Sequence, residues 1–170
     1  LTLIFLAGFA ALAVMSAWWS IVRADTLLAR PENVRWMVNL RFVPRGNLLD
    51  SRNNLIATTR GTRGELNRVL LYPPLGNTIG YINPRFGKAG LEASLDGYLS
   101  GTQGNAASRI WLAEMIYSQP PEGMNVRLSL DLNLQKMADD LLQDHRGAIV
   151  LLNARSGEIL AIASHPYFDP

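Results

Sequence analysis

At 170 residues the chain has room for one modest domain, or for a small domain with a membrane segment and part of another. It holds no cysteine, and its two histidines, His145 and His165, stand apart from each other and from any spaced carboxylate set, so a disulfide framework or thiolate nucleophile is excluded and no metal or cofactor is expected. The net charge of +2 averages two opposed halves: residues 23–91 carry eleven Lys and Arg against four acids, residues 92–170 five against ten, and no basic cluster or aromatic-interleaved strand speaks for nucleic acid.

Leu1 to Val22 (LTLIFLAGFAALAVMSAWWSIV) contains no charge. At about 1.5 Å per residue such a run matches a bilayer core of about 30 Å. Trp18 and Trp19 suit the headgroup region, and Arg23 then stops the run. A signal peptide has a shorter apolar region followed by a small-residue cleavage site, so an uncleaved anchor is expected. Arg23, Arg30 and Arg35 would locally favour a cytoplasmic C-terminal side, although long following domains translocate largely regardless of such charges. The basic half lies next to this segment, where it could face anionic headgroups or a lipid-linked anionic substrate.

Residues 23–39 are mixed and read as a stalk, with Pro31 ending any helical continuation. Residues 40–59 predict a β-meander, punctuated by Pro44-Arg45-Gly46 and by Asp50 to Asn54. Residues 60–105 hold most of the glycines and leave one short helix, in which Leu91, Leu95 and Leu99 fall at four-residue intervals. Pro120-Pro121-Glu122-Gly123 marks an internal boundary. Beyond it Val126, Leu128 and Leu130 alternate with polar residues as in a half-buried strand. Asp131 can cap an amphipathic helix through Leu134, Met137 or Ala138, Leu141 and Leu142, stopped by Gly147. GAIVLLN and EILAIAS, joined by Ala154-Arg155-Ser156-Gly157, predict a hairpin buried on both faces. Such strands need covering layers and one helix is in sight, so the sheet reads as unfinished.

In this order the segments resemble the class B penicillin-binding proteins, which cross-link peptidoglycan. Arg45-Gly46-Asn47-Leu48-Leu49-Asp50 with Ile56-Ala57 is similar to the turn and strand opening the family's pedestal. Tyr72-Pro73 with Gly80-Tyr81, and Gly90-Leu91-Glu92 with Leu99-Ser100-Gly101, resemble its next two motifs. Val126 to Asp131 with Leu134-Gln135 resembles the first strand and helix of the transpeptidase domain. Gly147 to Val150, Ser156 to Ala161, Ser164-His165-Pro166 and Phe168-Asp169-Pro170 resemble its first hairpin. The middle region is similar in style to the PbpA-like branch. Ser51-Arg52-Asn53 departs from the family's usual Arg-Asn-Gly; asparagine tolerates the left-handed conformation of such a turn, so the fold survives while any partner contact there comes into doubt.

The resemblance implies an α+β chain with a single transmembrane anchor over residues 1–22, a stalk and β-rich pedestal over 23–122, and the opening strand, helix and hairpin of a transpeptidase domain over 123–170. It implies a single-pass protein of the bacterial cell membrane, its bulk extracytoplasmic, in the machinery of cell-wall synthesis that serves cell division and shape. Acyl transfer in the family uses a serine with lysine one helical turn later, a Ser-x-Asn element and a Lys-Thr-Gly strand. No serine here has lysine three positions on, no Lys-Thr-Gly occurs, and Ser51-Arg52-Asn53 matches by letters only. No residue is therefore assigned to catalysis, and the piece is expected to be silent toward β-lactams. Stem peptides and β-lactams would be met through the absent domain, and a polytopic glycosyltransferase through the pedestal. Arg45, Gly46, Asp50, Gly80, Tyr81, Gly90, Glu92 and Asp131 are the structural or interdomain candidates, with Arg45 and Glu92 as an ion pair or interdomain contact, against a bland reading as surface charges. A stand-alone membrane-anchored adaptor and a β-lactam sensor are the alternatives. The apolar hairpin argues against the first and the pedestal against the second.

Overall fold

The computed structural model describes residues 2–22, 34–117 and 119–169, and the chain divides into two compact units, Leu1–Trp36 and Met37–Pro170. The expected break at Pro31 and most of the stalk lie outside the described residues. In the first unit helix α1 (Thr2–Ile21) is uncharged, and its Thr2–Trp19 stretch is long and apolar enough to cross a membrane by length and composition. Helix α2 (Val34–Phe42) then leads into the second unit, where the sequence predicts stalk and strand. Its last turn closes with Val43 N donating to Asn39 O, and Pro44 disfavours helical backbone at the residue before it.

The second unit is built on a four-stranded sheet ordered β3-β2-β1-β6, from β1 (Leu48–Leu49), β2 (Leu55–Arg60), β3 (Asn67–Leu70) and β6 (Val126–Arg127). The first three strands form an antiparallel meander. The β1–β2 turn passes through Asn53 at φ 66°, the left-handed backbone that asparagine accepts. β6 returns parallel to β1, pairing Leu48 with Val126 and Leu49 with Arg127. Leu48, Ile56, Ala57, Leu75, Ile79, Leu99 and Leu130 make the core.

Between β3 and β6 lie a 3-10 turn (Pro73–Leu75), α3 (Gly76–Ile79), the hairpin of β4 (Ile82–Asn83) and β5 (Gly87–Lys88), then α4 (Gly90–Ser94) and α5 (Asp96–Leu99). The single helix expected over Leu91 to Leu99 is two, broken at Leu95 (φ −100°, ψ 11°). The leucine spacing still delivers Leu99 to the core with Leu91 and Leu95 packed against it. Helix α6 (Ala107–Tyr117) has no counterpart in the sequence reading.

Helix α7 (Leu132–Leu142) starts at Asp131, whose carboxylate accepts from Asn133 N at 2.9 Å. It ends at Gln143, which takes φ 46°, so Gly147 does not stop the helix but opens β7 (Gly147–Leu152). β7 and β8 (Ile159–His165) form an antiparallel hairpin, and Ala138 and Leu142 of α7 pack on Ala161 and Ala163. The expected burial on both faces is corrected here: Val150 is 51% and Leu152 55% exposed, because α7 covers one face and no described element covers β7 from the other.

Candidate functional site

The charged candidates converge where β1, β3, α4 and α5 meet. Arg45 precedes β1, Arg68 lies on β3, and Glu92 and Asp96 stand on the first turns of α4 and α5. Glu92 is 1% exposed and lies between two guanidinium groups. Arg45 Nη2 donates to its Oε2 at 3.1 Å, and Arg68 Nε donates to its Oε1 at 2.7 Å. Arg45 Nη1 donates to Asp96 Oδ1 at 2.7 Å, and Lys88 closes the cluster on Asp96 Oδ2. Arg68 Nη1 reaches back to Gly46 O at 2.8 Å, which ties the cluster to the strand entry. Burial pushes the Arg68 guanidinium below its ordinary range, Glu92 pulls it back up, and Arg45 adds to the depression. Two carboxylates against three cations in so dry a place hold structure together. They present no nucleophile and no base for acyl transfer.

Gly46 permits this meeting. A Cβ there would stand 1.8 Å from Met124 O, so only glycine lets the segment after the Pro120-Pro121 break lie against the entry to β1. Hydrogen bonds join the two segments at that place, among them Gly123 N to Pro44 O, Val126 N to Asn47 O, Leu128 N to Leu49 O, Ser51 N to Leu130 O, and Asn47 N to Asn125 Oδ1. Arg45 and Glu92 both precede that break, so their pair ties the first segment to itself. The side chains that cross are others. Asp50 Oδ1 accepts from Arg52 N and Asn54 N, while Oδ2 accepts from Asn54 Nδ2 and, at 3.4 Å, from Leu132 N in the first turn of α7. Burial opposes the Asp50 charge, but these donors outweigh it and hold the carboxyl below its usual range. Arg52 Nη2 lies 2.7 Å from Asp131, the α7 cap.

Gly80 (φ 77°) and Gly90 (φ 62°) pack back to back, since a Cβ on either would strike the backbone of the other's neighbourhood. Tyr81 beside them stacks edge-on against Phe168, with ring centroids 6.2 Å apart. A second polar knot, unmarked in the sequence, centres on Asp139 of α7. Its Oδ2 accepts from Tyr72 OH at 2.9 Å and Gln135 Nε2 at 3.0 Å, and its Oδ1 lies 3.2 Å from His165 Nε2. His165, expected to stand alone, thus faces a carboxylate. Burial first, then Asp139, push the Tyr72 hydroxyl far up. The wholly buried Gln135 accepts from Ile162 N and donates to Ile162 O, standing in for the strand that β8 lacks on that side. Arg68, Asp96 and Asp139 were legible in sequence only as charges amid apolar or glycine-rich stretches. Among the described residues no group of three His, Cys, Asp or Glu could hold a metal ion.

No protein-family model matches the chain. Among curated proteins it is 28% identical over 158 residues to the peptidoglycan D,D-transpeptidase PbpA of Mycolicibacterium smegmatis, covering 88% of this chain and 32% of that protein. It is 42% identical over 90 residues to the peptidoglycan D,D-transpeptidase MrdA of Acinetobacter baumannii, covering 49% of this chain and 13% of that protein. Penicillin-binding protein A from M. tuberculosis, solved as an imipenem acyl-enzyme complex, superposes with a TM-score of 0.66 at 28% identity, over 78% of this chain and 31% of that one. The chain spans about a third of the PbpA proteins that it matches, and over that stretch it is similar in sequence and in fold to the PbpA-like class B penicillin-binding proteins.

Proposed function

We propose that this chain is the membrane anchor and pedestal of a peptidoglycan D,D-transpeptidase, continued into the first strand, helix and hairpin of the transpeptidase domain. α1 holds the protein in the bacterial cell membrane, and the second unit stands outside the cytoplasm. The pedestal carries the acyl-transfer domain at a distance from the bilayer and meets a polytopic glycosyltransferase, with Arg45, Glu92 and Asp50 keeping its shape. The 170-residue chain is itself silent in acyl transfer, and stem peptides and β-lactams are met by the parent's later residues. One observation carries the reading: the likeness to penicillin-binding protein A extends over 78% of the chain at a TM-score of 0.66.

The chain expressed in a bacterium should remain with the membrane fraction after an alkaline carbonate wash and take up no fluorescent penicillin. Release into the wash removes the anchor. Covalent labelling competed by unlabelled penicillin removes the assignment as a non-catalytic portion.

A further inference from the structure

Helix α6 turns an apolar face outward. Trp111 is 62% and Met115 68% exposed, and Leu112, Ile116 and Tyr117 are exposed with them. Residues 111, 112, 115 and 116 fall on one side of a helix, whereas Ile110 and Ala113 are the half-buried positions that face the body. A surface helix of a water-soluble domain is arranged the other way round, with its polar residues outward. The composition of the face, an indole beside Leu, Met and Ile, is that of helices lying in the boundary between lipid headgroups and acyl chains.

Its surroundings carry positive charge. Arg109 on the helix is exposed, and exposed Arg63 donates from Nη2 to Gln119 Oε1, 3.1 Å away, just past the helix end. The loop that bears Arg63 is joined to α2 by Gly64 N donating to Arg41 O at 2.7 Å. The apolar face, two exposed positive side chains and the chain's entry into the second unit therefore belong to one end of that unit. Guanidinium groups beside an apolar helix face complement the negative surface potential of a bilayer containing acidic lipids.

We propose that α6 is an interfacial helix that lays Trp111, Leu112, Met115 and Ile116 into the headgroup boundary of an anionic bilayer, as a second membrane contact of the chain. The proposal rests on the reading of α1 as an anchor, which keeps the second unit at the surface so that a short helix need not recruit it unaided. Two contacts fix the tilt of the pedestal where one tether would leave it free to swing.

The test uses the full chain in vesicles of phosphatidylglycerol and bromine-labelled phosphatidylcholine, with tryptophan emission as readout. A variant carrying Trp18→Phe, Trp19→Phe and Trp36→Phe reports Trp111, and the complementary variant carrying Trp36→Phe and Trp111→Phe, which keeps Trp18 and Trp19, reports α1. Trp111 should lose most of its emission to the bromines, and α1 should do the same. Unquenched Trp111 beside quenched α1 overturns the proposal, whether its emission is red-shifted, as in water, or shifts to the blue with protein concentration, as against a second copy. Quenching of Trp111 without α1 keeps the proposal and removes the anchor. Quenching of neither removes both.

Discussion

Glu92 sits buried between two guanidinium groups. With both oxygens taken by Arg45 and Arg68 and its surface shut off from water, it neutralises two guanidinium groups that would otherwise repel each other in a dry place. Breaking such a buried arrangement from one side costs about 3 kcal/mol or more. Glu92→Gln should therefore lower the unfolding free energy by about 3 kcal/mol, read by thermal or denaturant melting in detergent, whereas Asp96→Asn, a partner with more water around it, should cost less than about 1 kcal/mol. Equal losses would mean that burial does not set the strength of the cluster. Asp50 supplies the pH dependence. Its folded carboxyl titrates below the unfolded one, near about 3.9, so unfolding takes up a proton in that interval. The stabilisation is complete above the unfolded value and is lost as pH falls through the folded one. Asp50→Asn should lower stability at neutral pH and flatten the acid limb of the melting profile; an acid limb as steep as in the unmutated chain would remove Asp50 from that account.

At the scale of elements, legibility followed periodicity. The β-meander, the α7 start and the closing hairpin could be read because Asp131 is a capping residue and because GAIVLLN and EILAIAS leave strand as the simplest reading. α6 could not: Ile110 on its inward side and Trp111, Leu112, Met115 and Ile116 on its outward side are all apolar, so no polar face sets its phase. α2 was hidden behind Pro44, which suggests a turn and here follows a helix end. The α7 end was misplaced because Gln143 takes a backbone that glycine usually takes. Of the polar sites, single residues were readable and their partners were not, since Arg68, Asp96 and Asp139 meet Glu92, Arg45 and Tyr72 only through the tertiary fold. The hairpin also supports a prediction. Val150→Thr with Leu152→Thr should leave stability within about 0.5 kcal/mol and reduce aggregation measured by light scattering, because those side chains face outward. A clear fall in melting temperature would mean that the chain shields them itself.

For the molecule as a whole, the charge asymmetry and the apolar start were evident from composition, while the joint between the residues before and after the Pro120-Pro121 break was not. The Pro120-Pro121-Glu122-Gly123 break marks a change in sequence character, yet the chain after it supplies the β6 strand of the sheet that β1, β2 and β3 form. That joint has a mechanical consequence. β1 is entered from the N-terminal side and β6 runs on toward the later residues, and the two strands point the same way. A pull applied between the residues before β1 and those after β6 would slide the two strands past one another, loading all their bonds together, where an antiparallel pair held at one end would peel bond by bond.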